Sequence, residues 1–447
     1  MLMKSSGFRK YLHNTGYLFF EKICRGLITF LIWAQVIRYL GPEQFGVFSY
    51  ALSFVFLFNI LSDLGLESIV VRDLIRHGKE KTQILGAAFF LKLIGSFAAV
   101  ILIFIVVHTG FIEPDFKGVI IAMSLRLFFQ SLDVIDYYFQ SRVLSKFTVY
   151  AQLISLSVTS FLCLSFVYLG KPLVYFIYVV IIEMFINAIG LLVFYALNGQ
   201  KIFVWRFRWD VAKRLLKEGW PLIISGLAIS IFMRIDQIMI KQMLSVTSVG
   251  YYSAAVRISE AFYFVPIALT SSLFPAIVNA KLMNKELYQN RLKALFSLLF
   301  WLALGISTLV TIIAWPVINI FYGPAYLPAA QVLAIHIWAL VFVFWSVART
   351  KWAINESLQV YTMTYTIIAS ATNIVLNIIL IPRFDINGAA IAAVISQLVV
   401  GVLSNLLFKK TREVFFLQIR SLNFMGLLRK TPHLIMGIGT NPPDRKT

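Results

Sequence analysis

The sequence is poor in charge and in cysteine. Charged residues make up 13% of the 447 residues, and apolar residues make up 60%. A soluble domain is about half apolar and about a quarter charged. The two cysteines, Cys24 and Cys163, lie in apolar stretches and indicate neither a disulfide framework nor a metal site. These shortages exclude a soluble or disulfide-stapled protein and predict a polytopic membrane protein.

The sequence also lacks the short motifs of common enzymes. It contains no phosphate-binding Gly-x-x-x-x-Gly-Lys-Ser/Thr loop, no His-Glu-x-x-His and no Asp-x-Asp pair. No two of its five histidines stand at metal-ligand spacing, and His336, in an apolar stretch, is expected to be a satisfied core residue. No loop is long enough for a soluble catalytic domain. We therefore expect neither an enzyme nor a bound cofactor.

Long apolar stretches are the dominant feature of the chain. About 20 residues are needed to cross the hydrocarbon layer as a helix, and twelve stretches qualify. The predicted fold is therefore an all-α membrane protein with about twelve transmembrane helices, at 17–38, 45–65, 83–107, 118–140, 148–168, 173–196, 219–240, 249–278, 294–315, 328–348, 359–381 and 387–408. No small-residue cleavage site follows the first stretch, so it is expected to be a retained span.

The basic residues alternate between the loops in a regular way. Of the 40 Lys and Arg, 29 lie in the termini and loops of one side and five in the loops of the other. Positive charge collects in cytoplasmic loops, so both termini are predicted to be cytoplasmic. This distribution explains the net charge of +20 without nucleic acid as a partner.

Two stretches indicate an internal repeat. "LGPEQFGVFSYA" (Leu40–Ala51) aligns with "LSVTSVGYYSAA" (Leu244–Ala255) at an offset of 204, with Gly46 matching Gly250. Both precede the second helix of a predicted six-helix half, which favours two parallel repeats. The predicted organisation is an N-terminal lobe at 1–200, a basic linker at 201–218, a C-terminal lobe at 219–408 and a basic tail at 409–447. The tail contains an amphipathic segment at 415–428, expected on the membrane surface.

Several ionisable residues interrupt the predicted spans, where charge is costly and usually functional. Glu21 with Arg25 and Arg257 with Glu260 have the spacing of local pairs on one helix face, and either a pairing or a cavity role fits them. Arg126 has Gln130 one turn on, with Asp133 and Asp136 beyond, and this polar stripe along the fourth span fits a cavity wall better than a single structural pair. Arg234 and Asp236 have no partner three or four residues away on their helix, and interhelical salt bridges or a wet cavity would both accommodate them.

Four stretches resemble a known family of membrane proteins. They are "YLGPEQFGVFSYALSFVFLFNILSDLGLESIVVRDLIR" (Tyr39–Arg76), "RIDQIMIKQMLSVTSVGYYSAAVRISE" (Arg234–Glu260), "FYGPAYLPAAQVL" (Phe321–Leu333) and "IPRFDINGAAIAAVISQL" (Ile381–Leu398). They are similar to helices of bacterial O-antigen and polysaccharide flippases. These belong to the polysaccharide transporter family of the multidrug/oligosaccharidyl-lipid/polysaccharide exporter superfamily, and the similarity covers about residues 8–408.

The resemblance implies two six-helix lobes around a central cavity, alternating access, and a place in the bacterial inner membrane. The implied substrate is an undecaprenyl-diphosphate-linked oligosaccharide moved from the inner to the outer leaflet, with H⁺ or Na⁺ coupling in some members. Polymerases and glycosyltransferases of the same pathway are the implied protein partners. The residues implied to bind substrate are Arg25, Arg126, Arg234 and Arg257, and those for ion coupling or charge pairing are Asp133, Asp136, Asp236 and Glu260. Arginine suits this substrate because its planar donor fork matches phosphate oxygens.

Two alternatives remain at this point. One is a multidrug exporter, or an exporter of another lipid-linked precursor, from the same superfamily. The other is a membrane polysaccharide polymerase or ligase, which is disfavoured because its large basic outer loop has no counterpart here. The loop Ala314–Pro328 contains no Lys or Arg.

Overall fold

The computed structural model describes residues 5–110 and 112–423, with side chains from residue 28 onward. Every regular element in this part of the chain is helical. The α-helices are α1 Ser5–Asp63, α2 Glu67–Arg76, α3 Lys81–His108, α4 Pro114–Ser124, α5 Arg126–Phe129, α6 Val134–Ser141, α7 Lys146–Tyr168, α8 Leu173–Leu197, α9 Trp209–Met243, α10 Val246–Ala261, α11 Phe264–Met283, α12 Lys285–Tyr322, α13 Pro328–His336, α14 Ala339–Asn355, α15 Gln359–Gly401 and α16 Arg412–Arg420.

Ten helical runs between residues 28 and 406 of the described chain are long and apolar enough to cross a membrane. Eight of them each contain one predicted span. The other two, Ile28–Arg76 and Gln359–Leu406, each contain two predicted spans. Helix α1 of the first run is interrupted at Gly41, and helix α15 of the second run is interrupted at Asp385. The protein is therefore an all-helical, multi-pass membrane protein.

The interruption at Gly41 has a simple physical cause. Gly41 has φ 72° and ψ 170°, a conformation that side chains with a Cβ rarely adopt. Pro42 follows, and proline suits the first turn of a helix because its missing N–H would have no partner there. The second half of α1, residues 42–63, therefore begins as a new helix.

The run Pro114–Ser141 is not one continuous α-helix. It changes to a 3₁₀ turn at Gln130–Asp133, between α5 and α6. A 3₁₀ helix has about three residues per turn, so the side chains before and after this turn point in directions that α-helical spacing does not predict.

The chain divides into two compact units. Unit 1 contains Met1–Ser253 with Phe321–Ala325. Its buried apolar core is built by α2, α3, α6 and α9, with Val70, Leu85 and Phe139 fully buried.

Unit 2 contains Ala254–Ile320 with Tyr326–Thr447, and α13 and α14 pack on α15. Helix α16 lies at the end of α15, where the Gln418 amide donates a hydrogen bond of 2.9 Å to the Gly401 carbonyl. The predicted tail helix at 415–428 thus begins earlier, at Arg412, and residues 424–428 lie outside the described residues. Val414 and Leu417 are buried in the unit. The division into lobes at 1–200 and 219–408 stays a prediction.

Candidate functional site

The second half of α1 and helix α9 pack side by side in opposite directions. Near one end, Gly226 of α9 lies against the Ile60 side chain. Near the other end, the Gln242 amide donates a hydrogen bond of 3.5 Å to the Tyr50 hydroxyl. The contact therefore extends over most of the length of both helices, and Arg234 lies in its middle.

Arg234 and Asp236 face different surroundings. The Arg234 guanidinium carbon lies 5.4 Å from the centre of the Phe56 ring, a cation–π contact, and the side chain is partly exposed. Asp236 is buried, and its Oδ2 accepts a 2.5 Å hydrogen bond from the Tyr252 hydroxyl of α10. Residues two positions apart point to different sides of a helix. Arg234 is therefore the accessible charge of the two, whereas Asp236 joins α9 to α10.

Arg126 stands at the start of α5, just before the 3₁₀ turn. Its side chain is partly exposed, its Nε has no hydrogen-bond partner, and Glu183 of α8 is the acidic group whose charge acts on it. Among the described side chains, none forms a salt bridge with Arg126 at 4 Å or less. Arg126 is thus a cation within a membrane-crossing run whose Nε has no acceptor among the described residues.

A buried lysine that the sequence did not assign to a site organises the acidic residues of unit 1. The Lys92 side chain is fully buried. Its Nζ donates hydrogen bonds of 2.9 Å to Asp63 Oδ1 and 2.8 Å to the Tyr137 hydroxyl, which in turn donates to Asp63 over 3.1 Å. The signal for this cluster was a lysine at the centre of the third span, with Asp63 at the end of the second.

Asp133 and Asp136 lie near this cluster but differ in their contacts. Asp136 accepts hydrogen bonds of 2.5 Å from the Thr148 hydroxyl and 2.9 Å from the Gln140 amide. Asp133 is partly exposed. Among the charged groups that act on it, Lys92 has the largest effect, followed by Asp136 and Asp63. The polar stripe predicted from Arg126 to Asp136 therefore has two different environments, because the 3₁₀ turn changes the helical register between its ends.

The remaining predicted site residues fall elsewhere. Arg257 and Glu260 are partly exposed residues of α10 in unit 2, and both interact with neighbours. Arg25 belongs to α1, but its side chain lies outside the described residues. The structure thus places Arg126, Arg234 and the three aspartates in unit 1, and Arg257 with Glu260 in unit 2.

A second buried cation was missed because the tenth span was predicted to end at residue 348. Helix α14 continues to Asn355, and Arg349 is 2% exposed. Its Nη1 donates a hydrogen bond of 2.7 Å to the Val400 carbonyl, and its guanidinium lies 5.0 Å from the Tyr365 ring centre. Val400 is near the end of α15, so Arg349 satisfies a helix-end carbonyl, a role that basic side chains commonly have.

His336, by contrast, behaves as a core residue. It is 5% exposed, and its Nδ1 lies 3.0 Å from the Ser259 hydroxyl. Over the described ranges, no group of three His, Cys, Asp or Glu side chains has the arrangement of a metal site.

Comparison with known proteins identifies the group to which this arrangement belongs. Residues 11–281 match the family model "Polysaccharide biosynthesis protein". A Shigella flexneri protein named "Putative O-antigen transporter" is 25% identical over 308 residues, which are 65% of this chain and 71% of that protein. The "Probable flippase AglR" of Haloferax volcanii is 30% identical over 182 residues, which are 38% of this chain and only 36% of that protein.

Solved structures show the same fold at low identity. The structure titled "Lipid II flippase MurJ, inward closed conformation" superposes with a TM-score of 0.71 at 17% identity, covering 94% of this chain and 95% of the other. An inward-facing multidrug resistance MATE transporter superposes with a TM-score of 0.67 at 15% identity, covering 94% and 96% of the two chains. Because these relatives are transporters, the alternative of a membrane polysaccharide polymerase or ligase is wrong. The chain belongs to the polysaccharide biosynthesis protein family of O-antigen transporters and has the fold of the multidrug/oligosaccharidyl-lipid/polysaccharide exporter superfamily.

Proposed function

We propose that this protein moves an undecaprenyl-diphosphate-linked oligosaccharide from the inner to the outer leaflet of a bacterial inner membrane by alternating access. Membership of the family, the superfamily fold and the relatives' names support a lipid-linked glycan as substrate. The polymerase and glycosyltransferase proteins of the same pathway are the expected protein partners.

The observation that carries the proposal is Arg126. Its Nε, in the middle of a membrane-crossing run, has no hydrogen-bond partner, and none of the described side chains makes a salt bridge with it. A cation within a membrane that has no salt bridge is costly, so such residues normally face a water-filled path or a ligand. A diphosphate would supply the missing acceptors, and arginine binds phosphate oxygens through two parallel hydrogen bonds.

Arg234 is the second proposed phosphate ligand in unit 1. It is partly exposed, and its guanidinium lies over the aromatic face of Phe56. Arg25 and Arg257 are proposed as further ligands on the basis of the family resemblance. Asp133, Asp136, Asp236 and Glu260 are proposed for H⁺ or Na⁺ coupling or for charge pairing.

The proposed topology has twelve spans with both termini in the cytoplasm. Ten runs are observed in the described chain, and the interruptions at Gly41 and Asp385 each allow one run to cross twice. The excess of basic residues on one side supports the orientation.

The test is depletion of the protein in its native cell. Lipid-linked oligosaccharides are then quantified, and a membrane-impermeant sugar-binding probe reports the leaflet in which they lie. Accumulation of single units that the probe cannot reach from outside is the expected result. Accumulated units accessible from outside would contradict the proposal, because translocation would then continue without the protein.

Export of an organic cation is the second candidate, because the acidic residues around Lys92 would suit a positively charged substrate. Depletion would then leave lipid-linked units unchanged, and cells would become more sensitive to cationic dyes.

A further inference from the structure

Two matched positions of the internal repeat contact each other in unit 1. The offset of 204 that matches Gly46 to Gly250 also matches Pro42 to Val246. Pro42 begins the second half of α1, and Val246 begins α10. Each glycine is therefore the fifth residue of its helix, one turn after the matching residue.

In the structure these four residues form a reciprocal contact. A Cβ added to Gly46 would overlap the carbonyl of Val246, and a Cβ added to Gly250 would overlap the carbonyl of Pro42. The first turn of each helix thus lies directly on the first turn of the other. We call this contact the Gly46–Gly250 crossing.

Only glycine permits this approach. Small residues allow membrane helices to approach until their backbones touch, and short Cα–H···O contacts then contribute to the association. Both glycines are buried, as are Phe45 and Val249 beside them. Beside the crossing, α1 also contacts α9, where the hydrogen bond from Gln242 to Tyr50 lies one turn beyond Gly46.

The crossing lies at the helix ends on the side with few basic residues. Arg38 and Lys241, two of the five basic residues predicted to face outward, precede Pro42 and Val246 by four and five residues. We infer that the Gly46–Gly250 crossing is the closure of the substrate path on the outward side, and that it parts and re-forms in every transport cycle. This inference rests on the proposed function, because only a carrier that releases substrate outward needs such a closure to open.

The relation between the two glycines has a mechanical consequence. Gly46 contacts Val246, which is the repeat counterpart of Pro42, and Gly250 contacts Pro42 itself. The two contacts are therefore equivalent under the repeat, and both are lost when the helices separate. The closest contacts at the crossing are between backbone atoms, and separation also exposes the Phe45 and Val249 side chains that are buried beside it.

The first test uses alanine at each glycine. In a background of Cys24→Ser and Cys163→Ala, Ser253→Cys serves as the reporter, because Ser253 is buried, follows Gly250 by three residues, and has a hydroxyl without a hydrogen-bond partner. Its labelling rate with a membrane-impermeant thiol reagent is measured from outside intact cells. We expect Gly46→Ala and Gly250→Ala each to raise the rate about tenfold or more, the size of shift that overpacking by one methyl group produces.

Two other glycines provide matched controls. Gly118 and Gly305 are exposed helical residues with no atom within 4 Å of an added Cβ, so Gly118→Ala and Gly305→Ala should leave the rate unchanged. Equal labelling in the crossing variants and in these controls would overturn the inference. The readout needs no substrate, so its result is independent of the depletion experiment that tests the proposed function.

A second test keeps both glycines. Tyr50→Cys and Gln242→Cys are combined and joined by a reducible bifunctional thiol reagent of about the length of the replaced side chains. We expect cross-linking to stop export and reduction to restore it, while either single variant treated alike keeps exporting. Export that continues with α1 joined to α9 beside the crossing would show that this end of α1 does not separate during transport, and would refute the role of the crossing as a closure.

Discussion

At the scale of single residues, the contacts of each arginine in a helix indicate whether it is a candidate substrate ligand or a structural group. The Nε atoms of Arg126 and Arg349 both lack a hydrogen-bond partner, but Arg349 also donates through Nη1 to the Val400 carbonyl and stacks on Tyr365. Both are arginines within helices, and the sequence does not distinguish them. Their neighbours in the fold make Arg126 a candidate substrate ligand, whereas Arg349 binds the end of α15.

The first prediction concerns Arg126. Arg126→Ala should lower export about 10- to 100-fold, the loss expected when charge-assisted hydrogen bonds to a ligand disappear. Arg126→Lys should retain an intermediate rate, because lysine keeps the charge but loses the planar fork. Export is measured by the impermeant sugar probe at matched protein levels.

The control for Arg126 is Arg420→Ala, which removes an exposed arginine of α16. It should export at the wild-type rate. If Arg126→Ala also exports normally, Arg126 is not a substrate ligand.

The second prediction concerns the lysine cluster. Lys92→Met should destabilise the protein by about 2 kcal/mol, less than the loss of one partner from a fully buried pair, because the Asp63 side chain is 34% exposed. Thermal unfolding in detergent measures the change. In a double-mutant cycle with Asp63→Asn, the combined cost should be smaller than the sum of the single costs. Additive costs would show that the pair contributes no coupling energy.

The third prediction separates two acidic residues proposed for coupling. Asp133→Asn should abolish the dependence of export on an ion gradient, because Asp133 is partly exposed and the charge of Lys92 acts on its carboxylate. Asp236→Asn should retain that dependence and lose stability instead, since it disrupts the hydrogen bond from Tyr252. Export, measured for each variant with and without an ionophore, tests both expectations. The opposite pattern would move the coupling role to Asp236.

At the scale of helical elements, the ends and interruptions matter more than the apolar centres. Helix α16 is held at the end of α15 by Gln418, which donates to the Gly401 carbonyl and accepts from the Asn405 amide. Gln418 is fully buried, so both of its partners would lose their hydrogen bonds on truncation. The sequence predicted an amphipathic segment here but not the polar contacts that dock it.

The fourth prediction follows from this contact. Gln418→Ala should make the segment at 409–420 several-fold more sensitive to trypsin, because unmet hydrogen bonds weaken local structure first. Limited proteolysis of the purified protein measures the effect. Phe416→Ala is the control, because that side chain is exposed and makes no polar contact. Equal cleavage of both variants would show that Gln418 does not hold the helix.

At the scale of the whole molecule, the number of crossings depends on the two interrupted runs. The fifth prediction is that single cysteines at Gly110 and Arg383 react with an impermeant thiol reagent in intact cells. Cysteines at Lys79 and Asn284 should react only after the membrane is permeabilised. This pattern is expected because the positive charge collects on the side of Lys79.

Arg383 is the decisive position, because it lies two residues before the interruption at Asp385. Labelling of Arg383→Cys from outside would place this point of the run Gln359–Leu406 at the outer surface. Labelling only after permeabilisation would contradict a double crossing there and reduce the number of spans.

The sequence by itself determined the membrane class, the approximate positions of the helices and the family. Apolar length and the charge of loops are local properties, and they do not depend on which helices become neighbours. Tyr39–Arg76 and Arg234–Glu260 carried the family resemblance for the same reason.

The tertiary structure alone decided how each buried charge is used. Contacts such as Lys92 with Asp63, Asp236 with Tyr252 and Arg349 with Val400 join residues from different helices. The 3₁₀ turn at Gln130–Asp133 also altered a stripe that helical spacing had predicted. Even the repeat, visible as matched glycines in the sequence, became a reciprocal contact only when folding brought Gly46 and Gly250 together. Partner choice among helices depends on close packing, and a pattern along one helix does not record it.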